Sequence, residues 1–375
     1  MGLILLRYGE LALKGKNRVA FLRQLRRNVR ACLKEHRIEG VVTSAGQRVY
    51  VETEQVEEAL EPLSRVFGLA SLSAVVEAER DMEAITREAI RQAERAGVRP
   101  GVSYRVQARR ADKTFPYTSP EINRLAGGAI HDALQGDVDL SNAADVTIGI
   151  DVRNEGAMIY RDVLRGPGGL PLGTEGRVVA LISGGIDSPV AAWMMMKRGC
   201  AVIPLHFAQD EEDTAKALAN IENLARYSYG WRLRPTVLSH AEAVGPTLER
   251  LYEIGEERWA CIFCKRTLLQ RAQALCEELD AHGIVMGDAL GQVASQTLPN
   301  MEVISYGIQK PILRPLIGMD KAEIVDLAQR IGTFETSTRS EHGCHFLPAR
   351  PLTRGTVERM LEIAQQLDEM EGQEA

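Results

Sequence analysis

The stretch VVALISGGIDSPV, residues 178–190, decides the fold of the second half of the chain. Its first part, Val178 to Ile182, is a short apolar run, which is typical of a strand buried on both faces. The small residues at 183–185 interrupt this run, and Pro189 suits the first turn of a helix. A strand, a glycine turn and a helix in this order leave free N–H groups at a helix start, where they bind anions.

The turn excludes two common phosphate-binding motifs. No Lys-Ser/Thr pair follows the glycines, as a Walker A loop requires, and G-x-G-x-x-G is absent. SGGIDS at 183–188 instead resembles the PP-loop of the ATP pyrophosphatases, which cut ATP between its α and β phosphates. The hydroxyls of Ser183 and Ser188 can bond phosphate oxygens, whereas Asp187 would repel a bare phosphate and is better suited to Mg²⁺. An ordinary strand-to-helix turn is the alternative.

Length and composition predict a globular protein of two or three domains. The chain has 375 residues, of which 45% are hydrophobic and 26% charged. No apolar run approaches the roughly 20 residues of a membrane helix. The apolar start is too short for a signal peptide. We therefore expect a cytoplasmic protein that has no membrane partner.

Positive charge is concentrated at the N-terminal end. Residues 1–50 contain eleven Lys or Arg against three Asp or Glu, although the whole chain has a net charge of −6. The segment RRADKTFPY at 109–117 adds basic residues and two aromatics. A basic end on an acidic body is typical of a protein that binds a polyanion. A solvated helix face is the alternative.

Three N-terminal motifs carry a more specific resemblance: RYGE at 7–10, KGKN at 14–17 and RRADK at 109–113. They are similar to the ferredoxin-like and THUMP domains of the ThiI family, which are tRNA uracil 4-sulfurtransferases. The Gly- and Pro-rich stretch at 166–176 resembles the linker that precedes the PP-loop domain in this family. The resemblance covers nearly the whole chain and implies tRNA as a partner. The residues expected to contact tRNA are Lys14, Lys16, Arg109, Arg110 and Lys113.

The predicted fold class is therefore α/β. Ferredoxin-like and THUMP α+β domains precede a PP-loop ATP pyrophosphatase domain that is built on a doubly wound parallel sheet. The predicted boundaries are 1–58 for the ferredoxin-like domain, 59–165 for the THUMP domain, 166–176 for the linker and 177–375 for the PP-loop domain.

Other candidate nucleotide-binding residues follow later strands. His206 and Phe207 end the second predicted strand, where a doubly wound sheet places its ligands. GQVASQT at 291–297 resembles a family signature, and the resemblance implies that Gln296 contacts the nucleotide. Packing at a strand end and capping of the backbone are the alternatives. The complete set predicted to bind ATP is Leu181, Ile182, Ser183, Gly184, Gly185, Asp187, Ser188, His206, Phe207, Lys265, Gly287 and Gln296.

The segment 314–323 contains candidate residues of two kinds, structural and phosphate-facing. Asp320 and Glu323 have the spacing of a capping box, so we assign them a structural role first. Arg314 and Lys321 are basic residues that could face phosphates.

Cysteines form a second candidate site. C-x-x-C at 261–264 and Cys344 lie in the same domain, and four interpretations are open. They are an iron–sulfur cluster with one open iron, zinc with His342 or His345 as a fourth ligand, redox or persulfide chemistry, and unrelated buried thiols. Core positions are expected for the remaining cysteines, Cys32, Cys200 and Cys276.

The resemblance favours the cluster. Family members with a C-terminal rhodanese domain carry sulfur there as a persulfide and use a catalytic cysteine that matches Cys344. Because this chain ends at Ala375, we expect that domain to be absent. The C-x-x-C resembles the branch that binds an iron–sulfur cluster, so Cys261, Cys264 and Cys344 are the expected ligands of a 4Fe–4S cluster.

The sequence thus predicts an ATP-dependent tRNA sulfurtransferase that forms 4-thiouridine, by resemblance at position 8 of tRNA. The expected catalytic residues are Asp187 and Cys344, and the expected cofactors are Mg²⁺ and the 4Fe–4S cluster. Sulfide or a cysteine desulfurase would supply the sulfur, and a homodimer is left open. Three alternatives are kept: a persulfide on Cys344, sulfur transfer to a carrier protein for thiazole (thiamine) synthesis, and a non-catalytic tRNA-binding protein.

Overall fold

The structure is a computed structural model that describes residues 2–45, 48–338 and 348–374, without the side chains of residues 12, 13, 16 and 371–374. The chain forms two compact units, Met1–Gly169 and Leu170–Ala375. The boundaries between ferredoxin-like domain, THUMP domain, linker and PP-loop domain stay predictions. Within the described residues, no helix has the length and apolar character to cross a bilayer.

The first unit is built on one mixed sheet with four helices, counted over its described residues. Its strands are β1 (Gly2–Tyr8), β2 (Val41–Ala45), β3 (Arg48–Thr53), β4 (Leu69–Ala78), β5 (Ser103–Arg110), β6 (Asp137–Val138), β7 (Val146–Val152), β8 (Ala157–Tyr160) and β9 (Leu164–Arg165). Its helices are α1 (Arg18–Glu35), α2 (Val56–Leu63), α3 (Met82–Arg95) and α4 (Ser119–Leu134). The strand order is β2-β3-β1-β4-β8-β7-β5-β6, with β9 against β4. Strand β5 is parallel to β6 and β7, and the other pairs are antiparallel.

Alternating side chains give this sheet an apolar face. Ile148, Ile150 and Val152 of β7 are fully buried in one cluster with Ile85 of α3 and Ile122 of α4. The helices begin where the sequence supplies caps: the Asp81 carboxylate accepts two backbone N–H bonds at the start of α3, and α4 has a complete capping box. The predicted α+β fold is confirmed. The sequence of residues 41–53 predicts a hairpin with its turn at residues 46 and 47, and these two residues lie outside the described ones.

The second unit is built on a parallel sheet. Its strands are β10 (Arg177–Leu181), β11 (Ala201–Ala208), β12 (Thr236–Ser239), β13 (Ile284–Val285) and β14 (Ile312–Leu313). Its helices are α5 (Asp187–Lys197), α6 (Glu211–Ala225), α7 (His240–Glu253), α8 (Ala260–Glu278), α9 (Leu298–Ser305), α10 (Lys321–Ile331), α11 (Phe334–Ser337) and α12 (Val357–Glu374).

The order of these strands, β12-β11-β10-β13-β14, creates a natural ligand site. All four strand pairs are parallel, which confirms the predicted doubly wound sheet. The order reverses between β10 and β13, and ligands of such sheets bind outside the carboxyl ends of the strands at this reversal. The apolar run that begins the opening stretch supplies the central strand: Val179 is fully buried and lies between Ile203 of β11 and Ile284 of β13.

One strand is shorter than the sequence pattern predicts. The stretch 284–288 predicts a buried strand that ends in a glycine turn, but β13 ends at Val285. Gly287 explains the early end, because a Cβ built on it would lie 2.8 Å from the Ser188 backbone N and 2.9 Å from the Asp187 carbonyl carbon. The chain therefore leaves the sheet to pass directly against the first turn of α5.

Candidate active site

A cavity of about 380 Å³ lies at the carboxyl ends of β10, β11, β12 and β13. All but one of the residues predicted to bind nucleotide line it: Leu181, Ile182, Ser183, Gly185, Asp187, Ser188, His206, Phe207, Lys265, Gly287 and Gln296. Gly184 is the exception. The same cavity is lined by Cys261 and Cys264, so the structure brings the two sequence-predicted sites together.

The glycine turn is held in shape by its own hydroxyls. The backbone N–H of Ser183 donates to Ser188 Oγ at 2.9 Å, and the two serine Oγ atoms are 3.0 Å apart. Gly185 N–H reaches Ser183 Oγ at 3.4 Å. A turn closed in this way forms a small polar cup at the start of α5, as an anion-binding loop requires.

A buried histidine and a carboxylate support the turn from behind. His206 is 1% exposed, and its Nδ1–H donates to the Ile182 carbonyl at 2.9 Å. Its Nε2 lies 3.6 Å from Asp213 Oδ2, while Asp213 Oδ1 accepts the Gly184 N–H at 3.2 Å. The side chains of His206 and Asp213 therefore connect the ends of β10 and β11 to α6.

Asp187 makes two polar contacts at the mouth of the turn. Lys321 Nζ lies 2.6 Å from its Oδ1, and Gln292 Nε2 donates to its Oδ2 at 3.0 Å. Lys321 is the first residue of α10, which the capping box of Asp320 and Glu323 anchors with bonds of 2.9 Å in each direction. The expected structural role of that box is confirmed, and α10 brings a cation to the mouth of the turn at 183–188.

Asp288 is a buried carboxylate surrounded by donors. It is 4% exposed, and its oxygens lie 2.8 Å from Lys265 Nζ, 3.1 Å from Arg314 Nε and 3.3 Å from Gln296 Nε2. Burial alone would raise the pKa of Asp288, but the ion pairs with Lys265 and Arg314 outweigh it and hold that pKa below its ordinary value. The group is therefore an ionised carboxylate, which only accepts hydrogen bonds.

Cys261 and Cys264 lie three residues apart on α8, so they share one helix face. His240 Nε2 lies 3.3 Å from Cys264 Sγ, and burial lowers the pKa of His240 although Asp213 opposes this. Among the described residues, no group of three or more His, Cys, Asp or Glu side chains could hold a metal ion. The third predicted ligand, Cys344, and the alternative zinc ligands His342 and His345 lie outside the described residues.

The other cysteines are core residues, as expected. Cys32, Cys200 and Cys276 are at most 5% exposed. Burial raises the pKa of the Cys200 thiol to about 11 and also raises the pKa of Cys276. Thiols in such surroundings are unreactive.

The residues predicted to bind tRNA lie in the first unit and differ in their contacts. Arg109 and Lys113 are exposed. Arg110 instead donates to the carbonyls of Phe115 and Tyr117 at 3.1 and 3.4 Å, so it also holds the loop that carries Lys113. Lys14 Nζ lies 4.9 Å from the centre of the Phe21 ring. The side chain of Lys16 lies outside the described residues.

Sequence reasoning missed several polar residues of the cavity region, and four of them make the contacts described above. Asp213, His240 and Asp288 each line the cavity, and Gln292 contacts Asp187. A positional signal existed for two of them, since His240 directly follows β12 and Asp288 closely follows β13 at the ligand-binding edge of the sheet. Nothing in the local sequence indicates the long-range contacts of Asp213 and Gln292.

Three family models match successive segments of the chain. The model of the Thiamine biosynthesis protein (ThiI) family matches residues 173–368. The ThiI ferredoxin-like domain matches residues 3–73, and the THUMP domain matches residues 79–162.

Individual proteins and structures are similar over nearly their full length. A probable tRNA sulfurtransferase of Thermococcus kodakarensis is 41% identical over 96% of this chain and 95% of its own length. One of Methanocaldococcus jannaschii is 40% identical over 97% of each. A crystal structure of a 4-thiouridine synthetase–RNA complex with bound ATP has 31% identity and a TM-score of 0.84, covering 98% of this chain and 95% of that one. A Pyrococcus horikoshii structure has 30% identity and a TM-score of 0.70, covering 88% of this chain and 100% of that one.

Proposed function

The chain belongs to the ThiI family, and on this premise we propose that it is an ATP-dependent tRNA sulfurtransferase that forms 4-thiouridine, at position 8 of tRNA. One observation supports the proposal: a single cavity is lined by the glycine turn at 183–188, by the other side chains predicted to contact nucleotide and by two cysteines. Nucleotide activation and sulfur chemistry at one carbon need both sets of groups within reach of the same substrate.

The first step is adenylation of the target uracil. Its O4 attacks the α-phosphorus of ATP; the new O–P bond forms as the bond to the bridging oxygen breaks and pyrophosphate leaves. The turn at 183–188 would hold the pyrophosphate portion at the start of α5, where the hydroxyls of Ser183 and Ser188 lie together. Asp187 would hold Mg²⁺ on the phosphates, since a carboxylate and phosphate oxygens are the ligands this ion takes. Lys321, whose Nζ lies 2.6 Å from Asp187 Oδ1, would place a positive charge beside the same phosphates.

The second step replaces oxygen with sulfur. Hydrosulfide attacks C4 of the adenylated uracil, and AMP leaves with the former O4. The two-electron displacement needs no oxidant or reductant. Cys261, Cys264 and Cys344 would hold a 4Fe–4S cluster, and the two cysteines that share one face of α8 and line the cavity fit thiolate ligation of iron. When bound, the cluster would supply sulfide beside the nucleotide.

The N-terminal unit would hold the tRNA. We propose Lys14, Lys16, Arg109, Arg110 and Lys113 as phosphate contacts, and the ferredoxin-like and THUMP domains as the recognition modules. The target uracil must leave its stack to reach the cavity. Sulfide or a cysteine desulfurase is the proposed sulfur source, and a homodimer stays a prediction. Because the matching family model is described as a thiamine biosynthesis protein, sulfur transfer for thiazole synthesis is a second candidate.

A complete reaction tests the proposal. Anaerobically reconstituted protein is incubated with unmodified tRNA, ATP, Mg²⁺ and sulfide, and the tRNA is digested to nucleosides. We expect 4-thiouridine together with AMP and pyrophosphate in equal amounts, and none of these products without ATP. If tRNA and ATP are bound but neither AMP nor 4-thiouridine forms, the chain is a binding protein and the proposal is wrong.

A further inference from the structure

Gln296 has an unusual hydrogen-bonding environment. It is 7% exposed and lines the nucleotide cavity. Its Nε2 donates to Asp288 Oδ1 at 3.3 Å, but its Oε1 is buried and has no hydrogen-bond partner. A buried acceptor without a partner destabilises the folded protein, so it is expected to receive a donor from a ligand.

The backbone of Gln296 is already fixed. Its N–H donates to the Val293 carbonyl and its carbonyl accepts from Gly291 N–H, both at 2.8 Å. The main freedom left to this residue is therefore the orientation of its terminal amide, which can present either oxygen or nitrogen to the cavity.

We propose that Asp288 fixes this orientation, and that it thereby makes the cavity select a nucleotide with a hydrogen-bond donor at the Gln296 position. Asp288 accepts from three donors and can offer none, so the Gln296 NH₂ group must face it and the carbonyl oxygen must face the ligand. Asp288 is thus a positioning residue that acts through Gln296. The inference rests on the proposed use of ATP.

Lys265 and Arg314 stabilise this orientation of Asp288. Each forms an ion pair with the carboxylate, at 2.8 and 3.1 Å. Lys265 lies on α8 and Arg314 on the segment after β14, so the carboxylate is held from two parts of the fold. They keep the carboxylate ionised and in place. Without them, a protonated Asp288 could donate to the Gln296 oxygen and reverse the amide.

Two groups of ATP offer the required donor. The exocyclic amine of adenine donates, whereas the oxygen at the same position of inosine accepts. The ribose hydroxyls also donate, and deoxyribose lacks one of them. Both sources share the same chemistry, a donor aimed at Gln296 Oε1, and analogues of ATP separate them.

The experiment measures nucleotide affinity in the full-length chain with Mg²⁺ by calorimetry. The ligands are ATP, inosine triphosphate, 2′-deoxy-ATP and 3′-deoxy-ATP. We expect wild-type protein to bind ATP on the order of tenfold more tightly than one of these analogues, the one that lacks the selected donor. Asp288→Asn and Gln296→Met should bring that ratio to about 1. Asp288→Glu should retain much of it, and Gln365→Met, on α12 outside the cavity, should retain all of it.

The outcomes separate the two levels of inference. An unchanged ratio in Asp288→Asn and Gln296→Met, or the absence of any preference in wild-type protein, overturns the role of Asp288. If Asp288→Asn does not fold, Gln296→Met decides, because it leaves both ion pairs of Asp288 in place. Wild-type protein that binds none of the nucleotides contradicts the proposed function itself.

Discussion

Asp187 brings a negative charge to the mouth of a turn that otherwise suits an anion. Its contacts with Lys321 and Gln292 keep that charge beside the turn at 183–188. We expect Asp187→Ala to bind tRNA normally but to lose thiolation to below about one hundredth, since a bound metal contributes several kcal/mol to such a transition state. Pyrophosphate release and 4-thiouridine are measured together. Asp326→Ala, an exposed change on α10, is the control, and normal turnover by Asp187→Ala would exclude the metal role.

Single residues also mark the limit of prediction from sequence. Asp187 and Ser188 could be assigned because they belong to a contiguous motif with its own physical logic. Asp213 and Gln292 could not, because their partners Gly184 and Asp187 lie far away in the chain. Arg110 shows the converse case: its sequence context indicates a phosphate contact, but only the structure reveals that it also ties down its own loop.

The segment that follows β13 passes directly against the first turn of α5, and this close approach shapes the cavity. Gly287 allows it, because any side chain would meet backbone atoms of Asp187 and Ser188 at under 3.0 Å. We expect Gly287→Ala to weaken ATP binding at least about tenfold, because relief of such overpacking costs typically 1–3 kcal/mol and must move the turn or the strand. Affinity by calorimetry and melting temperature are the measurements.

A glycine with free space around it gives the matched control. Gly245 lies in α7 with no heavy atom within 4 Å of an added Cβ, so Gly245→Ala should leave ATP affinity unchanged and slightly stabilise the helix. Equal ATP affinity in Gly287→Ala and wild-type protein would mean that the close approach is not needed.

Elements with strong patterns were predictable, and weak or short ones were not. The sequence predicts α1 over 18–36 and α7 over 240–252, and the structure has Arg18–Glu35 and His240–Glu253. Periodicity and end signals determine such helices locally. The sequence does not reveal β6 or the length of β13, because a two-residue strand is defined only by the strand with which it pairs.

At the scale of the whole molecule, charge is distributed unevenly, and this can be measured. The basic residues of the first unit sit on a chain with a net charge of −6. Each phosphate contact that is lost should flatten the dependence of log K on log salt by about 0.7 to 0.9. For the double change Arg109→Ala and Lys113→Ala we therefore expect a flattening of roughly 1.4 to 1.8. Filter binding of tRNA at several salt concentrations measures it. Arg99→Ala, an exposed arginine elsewhere in the first unit, serves as the control, and an unchanged slope in the double variant would identify the two residues as solvated charges.

The proposed sulfur chemistry depends on segments that are far apart in the chain, α8 and the region around Cys344. The sequence predicts that Cys261, Cys264 and Cys344 act together, and two of them line the nucleotide cavity. We expect Ala at any of the three positions to remove bound iron, the brown colour and sulfide-dependent thiolation. Cys276→Ala should keep the iron, the colour and the thiolation, because Cys276 also lies on α8 but is fully buried in the protein core.

The rival scheme, a persulfide on Cys344, needs that cysteine but no iron, so metal removal separates the two. Protein is chelated anaerobically until iron-free and is then supplied with ATP, tRNA, a thiol reductant and either sulfide or a cysteine desulfurase with cysteine, because sulfide alone cannot form a persulfide on a thiol. The cluster hypothesis predicts that ATP still binds, because the turn at 183–188 and Gln296 remain, while thiolation with either sulfur source stops until the cluster is reconstituted. Thiolation by iron-free protein at the reconstituted rate would show that the cysteines act without a cluster.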